Sequence, residues 1–231
     1  NQEVDIICEE GTEGDDQIIV YNQSGFEGLR KKFHVREFEK EIRSRLGSNY
    51  ALAVTSGTSA IKIGLKALGV KGGDEVITQA FNFIATVEAI LDIGAIPIIA
   101  NVDSTLNMDI KDCEKLITEK TRAIISVPMW AAPKMDELVR ICEEHNIILV
   151  EDNAQSPGIA YKDRIAGTVG EIGILSLNYH KAIQTGEGGI ALTNNSIYAE
   201  HLQLIRNHAE AVVGKIDKID ADNDLFVIED A

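Results

Sequence analysis

The sequence predicts an α/β fold built on a largely parallel sheet, and three observations lead there. Short apolar runs alternate with helix-period segments along most of the chain, the rhythm of repeated strand–helix units. One such run, Ile147–Val150, leads straight into two carboxylates, Glu151 and Asp152. A carboxylate at the C-terminal tip of a buried strand stands where open α/β sheets place ligands. A further run, Ile172–Leu177, delivers Ser176 and then Lys181 into a loop closed by Gly186-Glu187-Gly188-Gly189.

The elements follow in order. Residues 1–30 read as an N-terminal arm, with the acidic, aperiodic stretch Glu9–Asp16 exposed. Residues 31–210 form the large domain, and 211–231 an acidic tail or the start of a further domain. Phe33–Leu46 carries Val35, Phe38, Ile42 and Leu46 at helical spacing and predicts an amphipathic helix ended by Gly47. The apolar stretch Tyr50–Val54 enters Thr55-Ser56-Gly57-Thr58-Ser59-Ala60, which opens a helix to Leu68. Gly72-Gly73-Asp74 is a turn and Glu75–Thr78 a strand. Phe81–Thr86 leads into another helix. Strands at Ile96–Val102, Arg122–Val127 and Ile147–Val150 alternate with helices at Asp109–Ile117 and Met135–His145. Beyond Lys181, Gly189–Thr193 is a strand and Ser196 caps a helix to about His208.

Composition narrows the function classes. The 231 residues suit one large α/β domain, or one domain with a fragment of another. A net charge of −15 argues against nucleic acid or an anionic membrane surface as partner. Cys8, Cys113 and Cys142 share no metal-ligand spacing and read as reduced thiols of a cytoplasmic protein. No signal peptide or bilayer-spanning run is apparent. The chain starts at Asn1 without Met and stops at Ala231 in an acidic segment, and is expected to be an incomplete version of a longer protein.

Several residues have chemical and plain readings. Hydroxyls and small residues opening a helix at Ser56–Ser59 make a phosphate seat, because free N–H groups and the helix dipole favour an anion there; the plain reading is a helix cap. An Asp, a hydroxyl and a Lys converging at one sheet edge are the parts that hold pyridoxal 5′-phosphate: Lys181 for the Schiff base, Asp152 for the pyridinium nitrogen, Ser176 for phosphate. Phe83 either covers the cofactor ring or packs in the core. His34 and Asp103 read as surface or loop residues. His180 is a candidate for substrate or phosphate contact, and His208 has no triad partner. Asp220, Asp222 and Asp224 imitate a calcium loop, but Leu225 stands where Gly is needed, and no metal site is expected.

Glu151-Asp152-Asn153-Ala154-Gln155, then Gly167, Gly170 and Gly173 at three-residue spacing, then Ser176–Lys181–Thr185–Gly189 resemble the sugar aminotransferases of the DegT/StrS type. The resemblance runs from about Phe33 to Glu210. It implies the three-layer αβα large domain of fold type I pyridoxal phosphate enzymes, with a mostly parallel mixed sheet and a smaller C-terminal domain beyond this chain. It assigns Gly57, Thr58 and Ser176 to the phosphate, Phe83 to the ring face, Asp152 to the ring nitrogen, Gln155 to the phenolic oxygen and Lys181 to the covalent link. Arg206-Asn207-His208 also looks like a family element. Departures lie at Gln79, Asn82 and the segment Pro128–Lys134, where Trp130 is a weaker candidate for the substrate pocket.

The implied reaction moves an amino group from an amino acid, usually glutamate, to a keto-sugar, usually nucleotide-linked, in polysaccharide or amino-sugar biosynthesis, in a cytoplasmic homodimer. Two alternatives stand beside it. Some relatives dehydrate a deoxysugar with pyridoxamine phosphate, and these replace the lysine by His. The other alternative is a non-catalytic, pyridoxal phosphate-binding regulatory protein.

Overall fold

The computed structural model of the chain describes residues 34–206. Phe33, the acidic arm with Cys8, and the segment from Asn207 on, with His208 and the tail aspartates, lie outside the described residues. The first half runs α1 (His34–Leu46), β1 (Tyr50–Val54), α2 (Gly57–Ala67), β2 (Glu75–Gln79), α3 (Ala85–Asp92) and β3 (Ile96–Ala100). Then come α4 (Ile110–Lys115), β4 (Thr121–Ser126), α5 (Met135–His145) and β5 (Ile148–Asp152). The chain continues through β6 (Ala160–Tyr161), β7 (Arg164–Ile165), β8 (Ile172–Ser176), β9 (Gly189–Thr193) and α6 (Ser196–Arg206).

Seven strands make one sheet in the order β1-β9-β8-β5-β4-β2-β3. All pairings from β8 to β3 are parallel, whereas β9 is antiparallel to both its neighbours and so runs against every other strand of the sheet. The sheet is therefore mixed but mostly parallel, as the strand–helix alternation predicts.

Helices cover both faces. On one, Ala60, Ile61 and Leu65 of α2, Ala89 and Ile90 of α3 and Leu202 of α6 join Val76, Ile125, Val150, Ile172 and Ile174 in a single core. On the other, Leu138, Ile141 and Cys142 of α5 and Cys113 of α4 pack on Ile77, Ile124 and Leu149. At the β8–β9 end, Phe38 and Ile42 of α1 meet Leu175, Ile190 and Leu192. Cys113 and Cys142 are free and buried, and burial pushes both thiols up to about 12. They are inert core residues at neutral pH.

Side chains alternate across a strand, so Val150 faces α2 and α3 while Leu149 faces α5. Asp152 and Glu151 consequently leave β5 on opposite faces. Both carboxylates are strand residues at its C-terminal tip: β5 runs two residues past Val150, where Glu151 and Asp152 pair with Gly173 and Ile174 of β8.

Glu151 is fully buried and accepts the backbone N–H groups of Gly167, Val169 and Gly170, each at 2.7 Å. Burial pushes its carboxyl up, and the three N–H donors oppose the shift. The contacts fasten the glycine-rich segment that precedes β8. Glu151→Gln would turn an amide NH₂ toward at least one of these donors, and an unmet buried donor costs about 1–3 kcal/mol. Urea unfolding should therefore show a lower midpoint at an unchanged slope.

Other elements differ from expectation in particular ways. Val35 is 46% exposed, and Glu39 takes a place on the buried side of α1. Its Oε1 accepts from the Ala53 N–H at 2.8 Å and from the Arg206 guanidinium at 2.7 Å. Asn195, not Ser196, caps α6, its Oδ1 accepting from the N–H groups of Ile197 and Tyr198. β3 ends at Ala100, and Val102 instead bridges Met108. Asp109 caps α4, which stops at Lys115, short of Ile117. The β6–β7 hairpin has no counterpart in the sequence reading; Lys162 turns it at a φ of 55°.

Candidate active site

The candidate residues cluster at the carboxyl edges of β5 and β8. Asp152 ends β5 and is 3% exposed. The Thr86 hydroxyl donates to its Oδ2 at 2.8 Å and the Ala154 N–H to its Oδ1 at 3.1 Å. Burial pushes this carboxyl above the usual range, against the pull of Thr86, Ala154 and the Lys181 charge. A buried carboxylate with two neutral donors is short of a cationic partner.

Lys181 lies in the loop after β8. That loop is closed on itself: the Thr185 N–H donates to the Leu177 carbonyl and the Leu177 N–H to the Gly188 carbonyl, at 2.9 and 2.8 Å. Gly186 sits at a φ of 81°, in the left-handed region that suits glycine. The half-buried Lys181 donates from Nζ to Gln155 Oε1 at 2.9 Å, and the same Nζ stands 5.7 Å from the Phe83 ring centroid. Desolvation lowers the Lys181 pKa, and Asp152 opposes that shift. Lysine ammonium, buried carboxylate, amide and aromatic ring therefore converge.

A second cluster forms at the start of α2. Ser56 caps the helix, its Oγ accepting from the Ser59 N–H at 3.0 Å, so the plain reading holds for Ser56 itself. The first-turn N–H groups of Gly57 and Thr58 have no acceptor within the helix. Ser176, the last residue of β8, packs against this turn: a Cβ on residue 57 would come within 2.9 Å of Ser176 Cβ and 3.3 Å of its Oγ. Gly57 is what lets the helix start approach the Ser176 hydroxyl. Ile174 of β8 pairs with Asp152, so the two clusters sit two residues apart along neighbouring strands.

Phe83 is 60% exposed, which removes the core-packing reading. His180 is exposed and its ring lies against that of Tyr179, with centroids 3.6 Å apart and planes tilted by 39°. Asp103 accepts from Thr105 and pairs with Lys134, a loop role as expected. Thr86 escapes the sequence reading, although a hydroxyl in the first turn of a helix at this sheet edge was the available signal. Among the described residues no cluster of His, Cys, Asp or Glu could hold a metal, and no helix is long and apolar enough to cross a membrane.

Comparison with known proteins extends the geometry. The chain is 38% identical over 164 residues to a GDP-perosamine synthase of Escherichia coli, covering 70% of this chain and 45% of that protein. The aminotransferase from Psychrobacter cryohalolentis superposes with a TM-score of 0.76 at 34% identity, over 80% of this chain and 48% of that one. A mutant of the GDP-4-keto-6-deoxymannose-3-dehydratase ColD superposes with a TM-score of 0.69 at 33% identity, over 75% and 47% respectively. The chain thus spans about half the length of the relatives it matches. Its mixed sheet, its lysine loop and its strand-tip aspartate all fall within residues 22–218, the stretch matched by the family model, and the chain belongs to the DegT/DnrJ/EryC1/StrS aminotransferase family.

Proposed function

We propose that this chain is the cofactor-binding part of a pyridoxal phosphate-dependent aminotransferase that aminates a keto-sugar, in the nucleotide-linked form. The observation that carries the reading is Lys181 Nζ, held by Gln155 and within electrostatic reach of the buried Asp152. The residues present fit the cofactor. Asp152 offers a buried negative charge for a ring nitrogen, Phe83 an exposed aromatic face beside Lys181, and Gly57, Thr58 and Ser176 an anion seat.

Pyridoxal phosphate, when bound, supplies an electron sink for the carbon losing its proton. Asp152 keeps the proton on the ring nitrogen, which that sink requires. Thr86 holds the Asp152 carboxylate in place through Oδ2. Gln155 orients the Lys181 amine. The lowered Lys181 pKa enlarges the neutral fraction of that amine, the form that attacks carbonyls and takes up a proton. Glutamate as donor, a cytoplasmic setting and a homodimer of the whole protein complete the proposal.

A dehydratase reading draws on the likeness to ColD. Lysine in the Gln155-bound position favours transamination, because His180 lies instead against Tyr179. The decisive assay incubates the protein with pyridoxal phosphate, glutamate and a panel of nucleotide-linked keto-sugars, with products weighed by mass spectrometry. An amino-sugar with 2-oxoglutarate is expected. A deoxy-keto-sugar without nitrogen transfer would overturn the assignment.

The anion seat has its own test. Gly57→Ala places a methyl group 2.9 Å from Ser176 Cβ and 3.4 Å from Ser176 Cα, so the helix start must move away from β8. Pyridoxal phosphate affinity, followed by visible absorbance, should fall roughly tenfold, about 1.4 kcal/mol. Unchanged affinity would place the phosphate elsewhere.

A further inference from the structure

Trp130 is 67% exposed, an unusual state for the largest apolar side chain, and its backbone lies at a φ of 64°. The left-handed region is costly for a bulky residue and persists only where surrounding contacts enforce it. Here they do. The Trp130 N–H donates to Ser156 Oγ at 2.9 Å, and that hydroxyl donates to the Pro128 carbonyl at 2.8 Å. On the other side the Met129 N–H donates to Asn107 Oδ1 at 3.3 Å, while Asn107 Nδ2 donates to the Ala131 carbonyl at 3.4 Å. Residues 128–131 are thus fastened at both ends, with the indole held outward.

Its surroundings say what it faces. The segment follows β4, whose neighbour in the sheet is β5, so it emerges at the same carboxyl edge as Asp152. Ser156, which holds the Trp130 backbone, is the next residue after Gln155, which holds Lys181 Nζ. Phe81 meets the indole edge-on, with centroids 6.5 Å apart and planes at 67°, and Phe83 lies beside Lys181. Phe81 is itself 42% exposed. Two exposed aromatic rings therefore stand at the sheet edge that carries Asp152, the indole on a backbone hydrogen-bonded on both sides.

We propose that Trp130, backed by Phe81, is the platform on which the hexose ring of the acceptor lies, and so a specificity-determining residue; this rests on the functional reading above. A pyranose presents a nearly flat face of C–H bonds with hydroxyls around its rim. An indole covers the C–H face and leaves its N–H for a rim hydroxyl. The sugar, rather than the nucleotide, belongs here because its keto carbon must reach Lys181, and Trp130 is tied one residue from the Lys181 partner. Pre-ordering the indole also lowers the entropy cost of binding.

Trp130 is the one tryptophan of the 231 residues, so its emission reports the contact directly. The protein, loaded with pyridoxal phosphate, is titrated with GDP-, UDP- and dTDP-hexoses and with the matching nucleoside diphosphates. Emission is read as the difference from Trp130→Phe. At least one nucleotide-hexose should change this difference, and no nucleoside diphosphate alone should. In steady-state assays Trp130→Ala should raise the acceptor KM roughly tenfold, the upper range of an aromatic contact. The glutamate KM should stay within about twofold, and Trp130→Phe should recover most of the loss. An unchanged acceptor KM overturns the proposal, as does an emission change produced by a nucleoside diphosphate alone. So does a shift in oligomeric state with Trp130→Ala, which would assign the indole to a second copy of the chain. Borohydride labelling of Lys181 separates the two levels. Without that label the functional reading itself fails, whereas an intact label with an unchanged acceptor KM removes only the role of Trp130.

Discussion

Lys181→Ala is expected to abolish covalent retention of pyridoxal phosphate and to cut transamination by roughly 10²–10⁴-fold from lost proton transfer alone. The expectation follows from the Nζ position, 2.9 Å from Gln155 Oε1 and under the influence of Asp152. Borohydride reduction of the loaded protein, followed by peptide mapping, should place the phosphopyridoxyl group on Lys181 and on no other lysine. Lys181→Arg should not rescue, since a guanidinium keeps the charge but offers no neutral amine. The pH dependence carries a sign. Attack on a carbonyl needs the unprotonated amine, and desolvation holds the Lys181 pKa below its ordinary 10.5. Labelling should accordingly rise at lower pH than for an exposed lysine. A label on a different lysine, or a visible absorbance band surviving in Lys181→Ala, would sink the assignment.

The chain's local patterns carry much of this arrangement. Apolar runs such as Ile172–Ser176 mark buried strands because parallel strands covered on both faces have no polar side to show. The helix Met135–His145 is bounded in the sequence as in the fold, since Asn146 past its end adopts the left-handed cap at a φ of 54°. Asp152 and Lys181 are legible because motif spacing sets one at the end of β5 and the other in the loop after its neighbour β8.

The residues that hold those groups are not legible, for they depend on partners far along the chain. Thr86 and Asp152 are 66 positions apart, and a hydroxyl in the first turn of a helix does not by itself name its partner. Glu39 looks like a solvent-facing helix residue until Arg206, 167 positions away, folds onto it. The amphipathic pattern of α1 gives Val35 to the core for the same reason, because a charge with a distant partner can occupy a buried position and an apolar residue at a helix start need not. Glu151 stands beside Asp152 at the strand tip, and the sequence alone gives it no separate role. Alternation along β5 sends it to the opposite face, where three backbone N–H groups hold it.

Asp152→Asn should separate function from folding with opposite signs. Loss of the charge proposed to keep the ring nitrogen protonated should slow transamination by roughly 10²-fold or more, about 2.7 kcal/mol of barrier. Stability without pyridoxal phosphate should move the other way. Burial raises the folded-state pKa of Asp152 above its unfolded value, so the group contributes stability below the unfolded pKa and loses it as pH rises through the folded one. At neutral pH and above, the buried charge opposes folding, and the neutral amide removes that cost while leaving Thr86 an oxygen to donate to, a gain offset only in part by the Ala154 N–H that then meets the amide NH₂. The unloaded variant should therefore melt no lower than the parent protein at pH 8, and its advantage should shrink as pH falls into the carboxylate range. Added pyridoxal phosphate should then raise the melting temperature of the parent more than that of the variant, because only the parent gains an ion pair at the base of the site. Equal cofactor-induced shifts together with near-parental half-reaction rates on glutamate would reduce Asp152 to a structural carboxylate.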